Sequence, residues 1–388
     1  MSTDPSGVKL PNELERRQII YWLKRISSYT AWNRILGFYR AWAKVTEKSV
    51  QAASERGWLM QHDRDGHPIS GVRTGRRIYD GGTGVQYEEF TGSAIDENTL
   101  AEILGCLAHC EDGVRRLRKG DKRVFQYNAH GEFVMAYRML AAWSTQLYRL
   151  DLGETGIDEQ HTPYWPEFRF ALTQLSEAWW ECSPFLIERE DLNAPSLTIY
   201  GVYLQEHLPA MTFPKALPEV PETTSHTLVA TGKTTPFSGI WEPVDAPKPK
   251  GFHLFGAPPV PEGPLPIIGC MSYLHAGSKA PRARQETATE SLRCDVTWRL
   301  LWRDDRYKDS AIPEEESEYV FQMPDSNLVA PEPEEQRGGL RIWSDTPCPY
   351  PGVWQCPDKP VGPQTVAFGV PMPRIQGERV LWRLMKAI

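Results

Sequence analysis

The sequence predicts an α+β protein of two domains: an all-α helical bundle, then a loop-rich antiparallel β domain built from two repeated units. Apolar residues recur every three or four positions through the first half. Beyond Pro209, short β-prone runs alternate with Pro and Gly, and most of the 33 Pro lie there. We therefore expect a helical domain over 1–209, a Pro-rich linker over 210–228 and a β domain over 229–388.

The first helical run extends from Asn12 to about Arg56 without a Pro. Because it is long for one globular helix, we expect a break near Ser27-Ser28 or Gly37, and a stop at Gly57. The buried stripe of this run consists of Ile19, Trp22, Leu23, Ile26, Trp32, Ile35, Leu36, Tyr39 and Trp42.

Three further helices complete the predicted antiparallel bundle. A Gly-rich stretch over 58–92 precedes them and is typical of a loop or a short hairpin. The helices begin after Asp96 as N-cap, at about Ala129, and at Pro163. Residues 197–208 fit either a helix or a strand.

The β half contains two copies of one unit, over about 234–302 and 345–386. Both copies open with Thr-Pro followed by Gly, a β-branched residue and Trp, and both close on a Val-x-Trp-Arg-Leu strand. We expect the repeated tryptophans to be buried together in a core between the copies, with an aromatic ligand platform as the alternative. These tryptophans are Trp241, Trp298, Trp354 and Trp382. The other predicted strands include YVFQM, LRIWS and TVAFGV.

Charge and composition exclude several classes of protein. The chain of 388 residues carries a formal net charge of −7, which argues against binding to nucleic acid or to a membrane surface. It contains no run of about 18 apolar residues, and its polar N-terminus lacks a signal-peptide core, so we expect a cytoplasmic protein. Seven scattered Cys fit reduced thiols.

No strong catalytic or phosphate-binding motif is present, and we expect no cofactor and no metal site. Cys106, His109 and Cys110 share a helix face but lack a fourth zinc ligand, so we interpret them as packing residues. Arg73, Arg76 and Arg77 belong, with the run GGTG, to a loop that fits an anion cradle, although a solvated loop explains them more simply.

An acidic cluster is the strongest candidate for partner binding, although a solvated loop is the plainer alternative. It comprises Glu314, Glu315, Glu316 and Glu318. Such a surface fits a basic protein, for example the substrate groove of a nuclease. Trp343 and Tyr350 are the aromatic anchors that we expect beside it.

Three segments resemble bacterial polymorphic-toxin immunity proteins: S-G-I-W-E-P from Ser238, G-C-M-S-Y-L-H-A-G-S-K-A-P from Gly269 and W-R-L-L-W-R-D-D-R-Y from Trp298. The chain is similar to the families numbered seventy-one and seventy-two, found beside type VI secretion and Rhs-type toxins. The helical half resembles one family and the β half the other. The resemblance implies a non-enzymatic inhibitor that binds one cognate toxin and protects the producing cell.

Our leading hypothesis is therefore an immunity protein that occludes the active site of a toxin acting in the cytoplasm. One alternative is an enzyme with a site between the domains, using His275, Arg282 and the Arg73 to Arg77 loop. Another is an adaptor or scaffold of a secretion system.

Overall fold

A computed structural model describes residues 7–62, 68–79, 86–188, 200–221, 227–246, 265–287, 289–321, 341–348, 351–367 and 369–387. It confirms the α+β class, with helices concentrated in the N-terminal region and antiparallel sheets in the C-terminal region. The α-helices are α1 (Glu13–Ile26), α2 (Tyr29–Glu55), α3 (Glu97–Leu117), α4 (Glu132–Asp151), α5 (Trp165–Cys182) and the short α6 (Gln205–His207). None of these described helices has the length and apolarity needed to cross a membrane.

The strands include two that form a hairpin within the helical region, so the Gly-rich stretch is partly a hairpin. In chain order they are β1 (Gln61–His62), β2 (Pro68–Ser70), β3 (Val72–Tyr79), β4 (Gln86–Thr91), β5 (Leu228–Ala230), β6 (Gly239–Val244), β7 (Ser272–Leu274), β8 (Ala283–Glu286), β9 (Ser291–Cys294), β10 (Thr297–Arg303), β11 (Arg341–Trp343), β12 (Gly352–Gln355), β13 (Gln364–Val366) and β14 (Leu381–Ala387). The described residues from 200 to 208 are helical, which decides between the two alternatives that the sequence left open. One expectation is corrected: residues 319–321 form no strand.

The helical break falls at Ser27-Ser28, one of the two predicted positions. The Ser27 hydroxyl donates to the Leu23 carbonyl at 2.7 Å, and the Ser28 hydroxyl donates to the Arg25 carbonyl at 2.6 Å. The Ser28 oxygen also accepts from the Ala31 amide at 3.1 Å, in the first turn of α2. The two serine hydroxyls thus add hydrogen bonds to carbonyls in the last turn of α1, and the Ser28 oxygen caps the first turn of α2.

The chain divides into two compact units, and each takes segments from both halves of the sequence. Unit 1 comprises Met1–Arg34, Gly113–Val134 and Trp179–Gln322. Unit 2 comprises Ile35–Asp112, Met135–Ala178 and Met323–Ile388. The domain boundaries expected at residues 209 and 228 stay predictions.

Each unit has an aromatic helical core. In unit 1 the Trp32 ring lies 3.9 Å from the Phe133 ring and 5.3 Å from the Trp179 ring, measured between centroids. In unit 2 the Phe168 ring lies 5.7 Å from that of Trp42 and 4.9 Å from that of Trp143. Much of the unusual tryptophan content therefore fills the interior of the helical regions.

The repeated β units form two four-stranded antiparallel sheets of the same topology. The first sheet, in unit 1, has the order β5-β10-β6-β7, and the second sheet, in unit 2, has the order β11-β14-β12-β13. The closing tryptophans make the same hydrogen bond: Trp298 Nε1 donates to the Pro281 carbonyl and Trp382 Nε1 to the Pro373 carbonyl, both at 2.8 Å. The two sheets are thus copies of one unit in structure as well as in sequence.

The structure corrects two details of the repeat. The Thr235 amide donates to Ser278 and the Cys348 amide to Val370, both at 2.8 Å, so Thr235 corresponds to Cys348 and not to Thr346. The expected core shared by both copies is also wrong, because each copy has its own. Trp241 and Trp298 belong to one buried cluster, and Trp354 and Trp382 belong to another.

Candidate functional site

The acidic cluster forms a 3-10 turn, Glu314–Glu318, on unit 1. Glu314 and Glu318 are exposed. Glu315 is partly exposed, and its carboxylate pairs with Lys24 Nζ of α1 at 2.9 Å. This acidic turn therefore presents carboxylates to solvent on a short, regular element.

Glu316 points inward, and only 2% of it is exposed. Its Oε2 accepts hydrogen bonds from the Thr30 amide at 3.0 Å and from the Thr30 hydroxyl at 2.6 Å. Its Oε1 accepts from the Tyr307 hydroxyl. Since Thr30 lies in the first turn of α2, the carboxylate caps the positive end of that helix. Glu316 thus fixes the acidic turn to the helices and is not part of its surface.

Arg306 anchors the segment that leads into the acidic turn. Its guanidinium forms a two-pronged ion pair with Asp304, at 2.9 and 2.8 Å. It also donates to the carbonyl of Lys24 at 2.9 Å and to the hydroxyl of Ser27 at 2.7 Å. Arg306 therefore places a cation at the C-terminal end of α1, which is the favourable end for positive charge.

The pKa values of the charged groups beneath the acidic turn are shifted by burial and by the neighbouring charges. Burial alone would raise the pKa of Asp304, but the Arg306 charge and hydrogen bonds hold that pKa well below its usual range. Tyr273 adds a hydrogen bond from its hydroxyl at 2.9 Å. Burial lowers the pKa of Lys122 to about 8, although Asp304 lies 3.3 Å from its Nζ and opposes the shift. The cluster is a structural anchor that holds its charges by mutual pairing.

The chain leaving the acidic turn is held on α1 as well. The Tyr21 hydroxyl donates to the Glu318 carbonyl at 3.3 Å, and Arg25 donates to the Val320 carbonyl at 2.7 Å. The Arg25 guanidinium also lies 5.6 Å from the centre of the Phe321 ring. Both ends of the acidic turn are therefore held by hydrogen bonds to α1 or to residues next to it.

Trp343, the predicted anchor on unit 2, lines a groove of about 230 Å³. The apolar residues of this groove are Val50, Leu100, Trp343 and Leu381. The Arg379 guanidinium lies 5.7 Å from the ring centre of Trp343, at cation–π distance, and also pairs with Glu97. Trp343 is thus a half-buried wall of a groove rather than a freely exposed ring. Tyr350 lies outside the described residues.

The residues proposed for the enzyme alternative have separate surroundings. His275 is buried, its Nε2 lies 2.7 Å from the Leu186 carbonyl, and burial lowers its pKa. Arg282 forms an exposed ion pair with Asp295 at 2.9 Å. Arg73 lies on β3 and pairs with Glu88 at 3.7 Å. Within the described residues of the chain, no three His, Cys, Asp or Glu side chains are placed to hold a metal ion.

Sequence reasoning did not single out Arg306 or Asp304, which position the acidic turn. Both lie in the W-R-L-L-W-R-D-D-R-Y segment, directly after β10. A run of four charged residues at the end of a buried strand is a signal for ion pairing, but their partners on α1 lie about 280 positions earlier.

Segments in both halves of the chain match immunity-protein families. Residues 10–68 and 84–195 match the family model described as Immunity protein 71. Residues 219–320 match the family model described as Immunity protein 72. The chain therefore resembles these two immunity families: the helical region matches the first, and the first β copy matches the second. These matches confirm the resemblance noted in the sequence. Neither curated proteins nor solved structures give a match.

Proposed function

We propose that this chain binds a cognate antibacterial toxin that acts in the cytoplasm, and neutralises it by occluding the toxin's active site. The match of segments in both halves to two immunity-protein families carries the proposal. An inhibitor of this kind needs a rigid contact surface, because a preorganised surface loses less entropy when it binds. The acidic turn fits that requirement, since Glu316 and Arg306 hold it on the ends of two helices.

The exposed carboxylates indicate the chemistry of the contact. Glu314, Glu315 and Glu318 form an anionic patch that complements a basic groove, as in enzymes that act on nucleic acids or nucleotides. Trp343 offers an aromatic wall beside an apolar groove on unit 2. We retain Tyr350 as a second aromatic contact on sequence grounds. Membership of a type VI secretion system and of a polymorphic-toxin locus belongs to the same proposal.

A genetic experiment tests the function directly. The gene for this chain is deleted in the producing strain, and cells are grown at high density so that siblings contact one another. We expect self-killing, rescue by the wild-type chain, and suppressor mutations that inactivate one toxin gene. The purified toxin domain should then form a stable complex with this chain in size-exclusion chromatography. A deletion strain that grows normally while the toxin gene is expressed would contradict the proposal.

The acidic patch has its own test in the double variant Glu314→Lys, Glu318→Lys. We expect its association rate with the toxin domain to fall by about tenfold at low salt, with a smaller loss at high salt, because exposed charges act mainly on encounter. The matched control is Glu177→Lys, Glu290→Lys, which reverses two exposed carboxylates elsewhere. Equal association rates for the two variants, measured by stopped-flow fluorescence, would exclude the acidic turn as a contact.

A further inference from the structure

The second sheet has a large apolar pair of side chains where the first sheet has a small pair. Trp343 of β11 pairs with Leu381 of β14, and Leu381 directly precedes the closing tryptophan of its sheet. The residue at the same place in the first sheet is Thr297, which pairs with Ala230. The fold of the repeated unit therefore does not require a large apolar pair at this position.

In unit 2 this apolar pair lines the groove of about 230 Å³. Val50 of α2 and Leu100 of α3 line it as well, and both are buried. Trp343 and Leu381 are only partly buried, so part of their apolar surface faces the groove. Since pockets for drug-sized ligands have about 300–1,000 Å³, this groove has the size for a single side chain of a partner.

The Trp343 side of the groove is held in place before any partner binds. The Arg379 guanidinium lies 5.7 Å from the ring centre of Trp343 and pairs with Glu97 of α3. Because that cation is already paired, it does not make the groove basic. A surface that is fixed in advance also loses less entropy when a partner contacts it.

The rest of the groove comes from one side of α2, and its charged residues are acidic. They are Glu47 and Glu55, which line the groove together with Gln51 and Ser54. Glu47 already has an interaction within the chain. Glu55 is exposed, and its carboxylate accepts a hydrogen bond from the uncharged Gln51 side chain at 2.9 Å. The groove thus combines apolar surface with a carboxylate that a neutral group contacts.

The place of Glu55 in its helix adds to the preference for a cation. Glu55 is the last residue of α2, and the last turn of α2 contains no basic side chain. The C-terminal end of a helix carries partial negative charge, and a carboxylate there adds to it. The nearest basic residue in sequence, Arg56, has its guanidinium 4.7 Å from the ring centre of Trp58. A cation from a partner is therefore the favoured charge beside Glu55.

We propose that this groove binds a lysine or arginine side chain of the toxin, with its aliphatic stem against Trp343 and Leu381 and its cation beside Glu55. This inference rests on the proposed function and names the chemistry of the contact at Trp343. Long basic side chains suit such a site, because their methylene groups bury apolar surface while the charged end stays near a carboxylate or water. Lysine and arginine also neutralise phosphates in enzymes that act on nucleic acids.

Two variants of the full chain test the groove with the toxin domain identified by the suppressor screen. Ser54→Trp fills the groove with a side chain of the protein itself, and we expect the Kd to rise by about 30-fold or more. Glu55→Lys should raise the Kd by roughly tenfold, because an attractive charge contact becomes repulsive. The matched control is Glu159→Lys, which reverses an exposed carboxylate elsewhere on unit 2 and should leave the Kd unchanged.

Thermal unfolding separates the loss of a contact from the loss of the fold. A cation is favourable at the C-terminal end of a helix, so Glu55→Lys should keep or raise the thermal midpoint while it weakens binding. A photo-crosslinking residue at the exposed Gln51 identifies the occupant, and we expect a crosslink to a toxin segment that contains a basic side chain. Replacing that basic side chain by Ala should then remove the effect of Glu55→Lys.

Three results would overturn the inference and leave the proposed function standing. They are an unchanged Kd for both groove variants, a crosslink from position 51 to a toxin segment without a basic side chain, and a crosslink to a second copy of this chain. Failure of the wild-type chain to bind any toxin would refute the proposed function itself.

Discussion

Glu316 gives the sharpest test of how the acidic turn is anchored, because sequence reasoning placed it on a partner surface and the structure buries it. The substitution Glu316→Gln keeps the shape but replaces one acceptor oxygen by an amide group that cannot accept. Either the Thr30 bonds or the Tyr307 bond is then lost. A hydrogen bond to a charged group contributes about 1.5–3 kcal/mol, and a charge at a helix N-terminus about 0.3–1 kcal/mol.

We therefore expect Glu316→Gln to lower the free energy of unfolding by about 2–4 kcal/mol. The assay is urea unfolding followed by circular dichroism, together with hydrogen exchange of the Thr30 amide, which should become faster. Glu318→Gln is the matched control, since its exposed side chain should change stability by less than about 0.5 kcal/mol. Equal midpoints for the two variants would refute the anchoring role. Weakened toxin binding with unchanged stability would show that Glu316 is a contact instead.

Two further predictions concern the interior of unit 1. Because the pKa of Lys122 is about 8 in the folded protein and about 10.4 in an unfolded chain, the folded state loses its proton first as pH rises. The free energy of unfolding should then increase between about pH 8 and 10, by on the order of 2 kcal/mol. Lys122→Met should remove this increase, measured as the urea midpoint at each pH. The same pH dependence in the variant would exclude Lys122 as the cause. Gly239 has a φ of +154°, and an added methyl carbon would collide with the Trp302 carbonyl. We expect Gly239→Ala to cost about 2 kcal/mol or more, while Gly362→Ala, which meets nothing within 4 Å, should be near neutral; equal thermal midpoints would show that β10 can move aside.

Local patterns predicted the elements of this fold well. The break at Ser27-Ser28 could be predicted because a serine side chain competes for backbone hydrogen bonds within a few residues of itself. The β repeat was visible because its turns need Gly and its core needs Trp in both copies. The alignment of the two Thr-Pro pairs was wrong because the two turns differ in sequence. The turn residue with a positive φ is Gly232 in the first copy and Asp345 in the second, so no shared glycine marks the equivalent positions.

The candidate site was harder to predict because its determinants are distant in sequence. No residue near Glu316 in sequence distinguishes it from Glu314. Thr30, which donates hydrogen bonds to the buried Glu316 carboxylate, lies 286 positions earlier. Sequence periodicity thus gives the elements, whereas exposure depends on long-range packing.

The anchoring of α1 and α2 by Arg306 and Glu316 also affects the order in which the protein forms. The C-terminal end of α1 and the first turn of α2 receive these partners from residues 282 and 286 positions later. A ribosome adds about 5–20 residues per second, so these helix ends wait roughly 14–57 s for the side chains that complete them. Until then the junction at Ser27-Ser28 is held only by local hydrogen bonds, such as those of its two serines and that of the Trp32 side chain to the Ile26 carbonyl. Contacts of such long range also slow refolding, so the two helix ends should be among the last segments of unit 1 to gain protection from exchange.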